Sequence, residues 1–140
     1  MPDPLDTADL VHSAAIRLLR MVRAADDATG LSAPRLSVLS VLVFSGPKSL
    51  GALARIEQVT PPTMSKLVSE LESAGLVAKR ADKADARALR IEATAKGKAL
   101  MHEGRKRRLA LLRQRFAGFS AAERATLEKA AALMQRAAEG

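Results

Sequence analysis

The sequence predicts a mostly α-helical protein that carries one small β-hairpin. Apolar residues recur at helical spacing along most of its 140 residues, and the period shortens to two only at Leu89 to Ala93. The core is left to Ala, Leu and Val, because there are three Phe (Phe44, Phe116, Phe119) and no Trp or Tyr. Small aliphatic side chains suit closely packed helices better than a sandwich or barrel. A chain of this length buries roughly 68–70% of the surface its unfolded form exposes, so it can build a core. A hydrophobic fraction of 48% excludes wholesale disorder.

Taken in order, Thr7 to Ala25 places Val11, Ala15, Leu18 and Val22 on one stripe, with Ala14 and Leu19 beside it. That pattern predicts a helix with a broad buried face. Gly30 ends a linker, and Ser32 is placed to cap a second helix with Pro34 in its first turn. The second helix runs to about Phe44 and is apolar nearly all round, which puts it in the middle of the fold. Gly46-Pro47 marks a turn, and Ser49 opens a short helix through Leu50, Leu53 and Ile56. Thr60 then caps a helix with Pro61 at its first position, where the missing proline N–H is no loss. In this helix Met64, Leu67, Val68 and Leu71 share the inward face, while Pro62, Thr63, Ser65, Lys66 and Ser69 face outward. Gly75 is the expected left-handed stop, with Leu76 packing back on the helix end.

Leu89, Ile91 and Ala93 alternate with Arg90 and Glu92, a half-buried strand whose antiparallel partner is Val77 to Ala81. The polar segment Asp82 to Ala88 joins them. Thr94 caps a long helix running to about Phe119, with Leu109, Leu112, Phe116 and Phe119 on one stripe. Ser120-Ala121-Ala122-Glu123 is a capping box. It opens a last helix whose inner face holds Leu127, Ala130, Ala131 and Met134.

The formal net charge of +8 is unevenly spread. Met1 to Asp27 holds five Asp against three Arg, whereas Ala93 to Phe119 holds eight basic residues against Glu103 alone. One basic half is expected of a chain that meets a polyanion with one surface. With no Cys, disulfide scaffolding, cysteine-ligated zinc and thiol-based redox sensing are excluded. The acidic start lacks an apolar signal core, and the most apolar stretch, Val38 to Phe44, falls far short of the roughly 20 residues that span a bilayer. A cytoplasmic protein without membrane contact is expected. The chain shows no glycine-rich phosphate loop and no His set beside spaced carboxylates, so neither an enzyme nor a cofactor is expected. His12 and His102 are the only histidines, and no metal site is assigned to them.

A short helix, a tight turn and a second helix with one apolar and one small-polar face is how a helix-turn-helix presents a recognition helix to DNA. The basic hairpin after it makes the unit a winged helix. Thr63 and Ser65 can bond base edges or phosphates, and Lys66 can reach guanine or the backbone. Arg87 sits at the wing tip, where an arginine suits the negative potential of a narrow minor groove, with Asp85 two residues earlier able to hold it. Thr60, Pro61, Pro62, Thr63, Ser65, Lys66, Ser69, Lys83, Asp85 and Arg87 are the candidate DNA-binding residues.

These pieces, in this order and spacing, resemble the MarR family of bacterial transcription regulators over nearly the whole chain. The resemblance rests on Leu31-Ser32, Leu53-Ala54, Val59 through Val68, Leu71 through Val77, Asp85-Ala86-Arg87, Thr94 and Gly97. It implies a single domain over 1–140. Within it, 1–30 and 98–140 are dimerisation helices and 31–97 is the DNA-binding region, with a recognition helix at about 60–74 and a wing at about 77–93. It further implies a homodimer on a palindromic double-stranded operator, acting as a repressor. A small phenolic or anionic effector would release it from a pocket between the two parts, for which His12, Ile16, Leu39 and His102 are the candidates. Two departures stand out: Gln58 where a turn glycine is frequent, and Ala86 where a basic residue is common. The competing reading is a winged helix that binds nucleic acid non-specifically or serves protein–protein contact. The Lys66, Arg87 and small-polar pattern favours DNA, since an interaction module would expose apolar side chains on that face.

Overall fold

A computed structural model describes residues 4–85 and 87–140. It is mostly helical, with one small wing. The order is α1 (Pro4–Arg23), a 3₁₀ turn (Asp26–Thr29), α2 (Ala33–Ser45), α3 (Leu50–Glu57), α4 (Pro61–Ser73), β1 (Val77–Ala81), β2 (Leu89–Ala93), α5 (Ala95–Phe116) and α6 (Ala121–Glu139). The first helix starts earlier than its apolar stripe predicts, and the long helix stops at Phe116 rather than Phe119. Phe119 lies past that end and stacks on Phe116 at 5.8 Å between ring centroids.

The core gathers where α2, α3, α4, the wing base and the start of α5 meet. Val38, Leu39, Leu53, Met64, Val68 and Leu71 are fully buried there. Helix α2 runs through the middle, as its all-round apolar pattern predicts, although Phe44 at its end stays exposed and meets His102 edge-on at 5.7 Å. Ser32 occupies the N-cap position in extended backbone, but no helix N–H bonds to its side chain. Its Oγ instead accepts from Arg35 Nε at 3.1 Å.

β1 and β2 pair antiparallel, from Val77 opposite Ala93 to Ala81 opposite Leu89. Lys48, between α2 and α3, adds a short bridge to Ile91: its N–H donates to the Ile91 carbonyl at 3.1 Å, and its carbonyl accepts from the Ile91 N–H at 2.8 Å. The alternation that predicts a half-buried strand holds only at the base of the hairpin. Ile91 and Ala93 are buried, while Leu89 is 57% exposed because the hairpin projects past the core.

The end of α4 is joined to the start of α5. Thr94 Oγ1 donates to the Gly75 carbonyl at 2.6 Å and Lys96 Nζ donates to the Ala74 carbonyl at 2.9 Å. A lysine on the last carbonyls of a helix also favours its dipole. Gly97 lies so close to the Leu76 carbonyl that any Cβ there would overlap it.

The broad stripe of α1 is largely uncovered within the chain. Val22 is buried and Ala15 half-buried, while Val11 and Leu18 are exposed, as are Leu10 at 70% and Leu19 at 58%. The inner face expected of α6 is likewise mostly open: Leu127, Ala131 and Met134 are exposed and Ala130 is half-buried, and Leu133, off that face, is exposed too. No described helix is long and apolar enough to cross a membrane.

Candidate nucleic-acid interface

The site begins at the turn between α3 and α4. Gln58 ends α3 in the left-handed region (φ 57°, ψ 44°), and its N–H closes the helix onto the Ala54 and Arg55 carbonyls. Val59 N–H then donates to the Ala54 carbonyl at 3.0 Å. This reversal delivers Thr60 as the N-cap of α4, where its Oγ1 accepts from the Thr63 N–H at 3.3 Å. The Thr60 hydroxyl donates in turn to Thr63 Oγ1 at 3.0 Å, which leaves the Thr63 hydroxyl proton free for a partner outside.

Met64, Val68 and Leu71 anchor α4 with no exposed surface. A helix fixed on one face by three buried side chains presents its other face rigidly. That other face is Pro61, Pro62, Thr63, Ser65, Lys66 and Ser69, and all six are exposed. Two carboxylates on α4 are neutralised from neighbouring elements: Glu70 by Arg35 at 3.4 Å and Glu72 by Lys79 at 3.8 Å. Both pairs are partly solvated, so each adds little stability. Their consequence is electrostatic, because they mask negative charge on a face that carries one lysine.

The wing supplies the second part. The Asp85 carboxylate accepts from the Arg87 N–H at 3.0 Å and lies 3.6 Å from Arg87 Nε. The Arg87 side chain is 94% exposed at the tip, and Lys83 is exposed beside it. Ala86 lies outside the described residues. The loop is held by Asp82, whose Oδ1 accepts from the Ala84 N–H at 2.8 Å and whose Oδ2 accepts from Arg90 Nε at 2.9 Å. The Ala84 amide, helped by Arg90, holds the Asp82 carboxyl below the usual aspartate range against the opposing effect of partial burial.

The sequence pattern marks Arg90 only as an outward strand residue and does not single out Arg80. The register sets them directly opposite each other, an arrangement of like charges that is unfavourable by itself. Glu92 bonds Arg80 at 2.8 Å and Asp82 bonds Arg90, so each is relieved. The hairpin register, once drawn from the alternation, was the signal that could have exposed this pair.

A hollow of about 470 Å³ opens between α1, α2 and α5, lined among others by Val22, Asp26, Ser37, Ser40, Met101 and Arg108. Arg108 bonds Asp26 at 2.8 Å across it, with both side chains 24% exposed. Ser37 Oγ, on its wall, donates to the Glu57 carboxylate at 2.8–2.9 Å, at the end of α3 and next to the turn residue Gln58. His12, Ile16, Leu39 and His102 do not line this hollow. Leu39 is spent in the core, His102 packs on Phe44, and His12 and Ile16 lie on the exposed side of α1. The structure therefore places the ten candidate DNA-binding residues on α4, its cap and the wing but does not gather the four candidate pocket residues.

Comparison with known proteins agrees with this geometry. Residues 29–88 match the family model described as MarR family. An uncharacterised HTH-type transcriptional regulator of Mycobacterium bovis is 32% identical over 121 residues, covering 86% of this chain and 85% of that protein. An HTH-type transcriptional repressor of Mycobacterium tuberculosis is 39% identical over 79 residues, 56% of this chain and 57% of that one. Among solved structures, a MarR family protein from Bacillus stearothermophilus superposes with a TM-score of 0.86 at 22% identity, covering 97% of this chain and 95% of that one.

Proposed function

The chain belongs to the MarR family of transcriptional regulators, and from that premise we propose that it is a cytoplasmic homodimeric repressor that binds a palindromic double-stranded operator. The observation that carries this reading is the pairing of a rigid, exposed small-polar helix face with an arginine presented at a wing tip. The helix suits a major groove and the arginine an adjacent minor groove. Thr63, Ser65 and Lys66 take the base-edge and phosphate contacts, with Thr60 and Ser69 flanking them. Lys83 adds a backbone contact, and Asp85 orients Arg87.

Repression is supported by the name of the Mycobacterium tuberculosis relative. Dimerisation is supported by the uncovered apolar faces of α1 and α6. The hollow beside Arg108 supports an anionic effector. A carboxylate there competes with Asp26 for the arginine and lies next to the Ser37–Glu57 bond that leads to the helix-turn-helix turn.

The test is fluorescence-anisotropy binding to the DNA upstream of the chain's own gene against scrambled DNA, over a salt series. Discrimination of roughly 10³ or more is expected of a specific regulator. Equal and steeply salt-dependent binding to both sequences would instead favour non-specific nucleic-acid binding.

A further inference from the structure

Resting on the regulator reading above, we infer that the recognition helix identifies its half-site chiefly by thymine methyl groups, read by Pro61, Pro62 and Thr63. The major groove offers a protein three kinds of signal: acceptors, donors and the C5-methyl of thymine. Bidentate reading takes an arginine or lysine on guanine and an asparagine or glutamine on adenine. Helix α4, Pro61–Ser73, contains no Arg, Asn or Gln, so Lys66 is its single residue of this kind. The polar groups on its outward face are the single hydroxyls of Thr63, Ser65 and Ser69 and the one ammonium of Lys66; the exposed Glu72 and Ser73 lie in the last turn, where Glu72 pairs with Lys79. A hydroxyl both donates and accepts, so it discriminates poorly between base pairs.

The start of the helix is unusual in another way. Its first two residues are prolines, both exposed, and neither has an N–H to offer a phosphate. The N-terminal residues of a recognition helix are those that meet base edges. Here they form an apolar surface without donors, at the point where a docked helix enters the groove. Only one group in the groove of B-DNA complements such a surface, and that is the thymine methyl. Proline rings are also rigid, so they lose little conformational freedom on contact. The Thr60–Thr63 hydrogen bond fixes the Thr63 side chain in the same region. Lys66, one turn further on, bonds a guanine or a phosphate.

The experiment replaces thymine by deoxyuridine, one position at a time, in an operator that the wild-type chain binds over scrambled DNA. This removes the methyl and leaves the pairing and the hydrogen-bonding edges unchanged. Wild type is expected to lose about fourfold in affinity at one or more thymines in each half-site, the loss that corresponds to one CH₂-sized apolar contact. With Pro62→Ala, an exposed change whose folding is checked by circular dichroism, the thymine-to-uridine difference is expected to shrink at the position Pro62 reads and to persist elsewhere. Operator binding that is specific yet indifferent to every uridine substitution overturns the thymine reading alone. Binding that never exceeds the scrambled control overturns the regulator reading, and this inference with it.

Discussion

Gln58 makes the turn of the helix-turn-helix at φ 57°, a conformation that costs an L-residue on the order of 1–2 kcal/mol and glycine almost nothing. Gln58→Gly is therefore expected to match or slightly exceed wild type in stability. Gln58→Val, β-branched and poorly suited to that region, is expected to fall below the glycine variant by about 1–2 kcal/mol in urea unfolding. Equal midpoints for the two would mean that the turn relaxes out of the left-handed region. Gly97 is constrained for a different reason. A methyl there overlaps the Leu76 carbonyl and presses on Leu39, 3.2 Å away, where α5 leaves the wing. Gly97→Ala should cost about 1–3 kcal/mol as an overpacked contact. At the tip, the Arg87 side chain is 94% exposed and pairs with Asp85 of its own loop. Arg87→Ala should leave the melting temperature within a degree or two of wild type. It should weaken operator binding by on the order of 1–3 kcal/mol, and unchanged affinity would remove the minor-groove role.

Among the elements, those specified by local chemistry were legible in the sequence. The Thr60 cap, Pro61 at the first helical position and the Gly75 stop bracket α4 within a residue of where the structure has it. The box of Ser120 and Glu123 forms with both of its hydrogen bonds, at 3.1 and 2.9 Å. What escaped depends on contacts distant in the chain. The Lys48–Ile91 bridge joins residues with no shared pattern, and Ser32 loses its capping role to an arginine that claims its hydroxyl. The hollow is assembled from α1, α2 and α5, so no single stretch of sequence announces it. The wing loop shows how a local element carries a measurable pH dependence. Asp82 has a depressed folded pKa, so its contribution is complete above the ordinary aspartate range and is lost as pH falls through the folded value. Amide protection at Ala84, and ordering of the Arg90 side chain, should decline together in that acidic window, as read by NMR. Asp82→Asn should remove the pH dependence while lowering protection at neutral pH; an unchanged acid profile in that variant would assign the effect to another carboxylate.

Over the whole molecule, the distribution of apolar surface is lopsided. The winged-helix region closes a complete core, whereas α1 and α6 hold outward Leu10, Leu19, Leu127, Leu133 and Met134. Helix α6 packs extensively on no other element of the described chain. Most helical stability in proteins comes from tertiary packing of an amphipathic face, which this 19-residue helix lacks within the single chain. Large apolar side chains exposed on both terminal helices are what an interaction surface presents. The proposed homodimer would satisfy it symmetrically, each α1 and α6 covering the other's, and would place two recognition helices for half-sites about one helical turn apart. The consequence couples assembly to folding and to DNA binding. Leu133→Glu puts a charge into the proposed seam without touching the core, since Leu133 is 55% exposed in the single chain. Sedimentation at micromolar concentration should then shift from dimer to monomer, and helical circular dichroism should fall as α6 frays. The operator affinity should collapse toward that of one half-site while the winged-helix core still unfolds cooperatively. A variant that stays dimeric with full helicity would place the dimer contact elsewhere. A wild-type chain that sediments as a stable monomer would remove the two-half-site arrangement altogether.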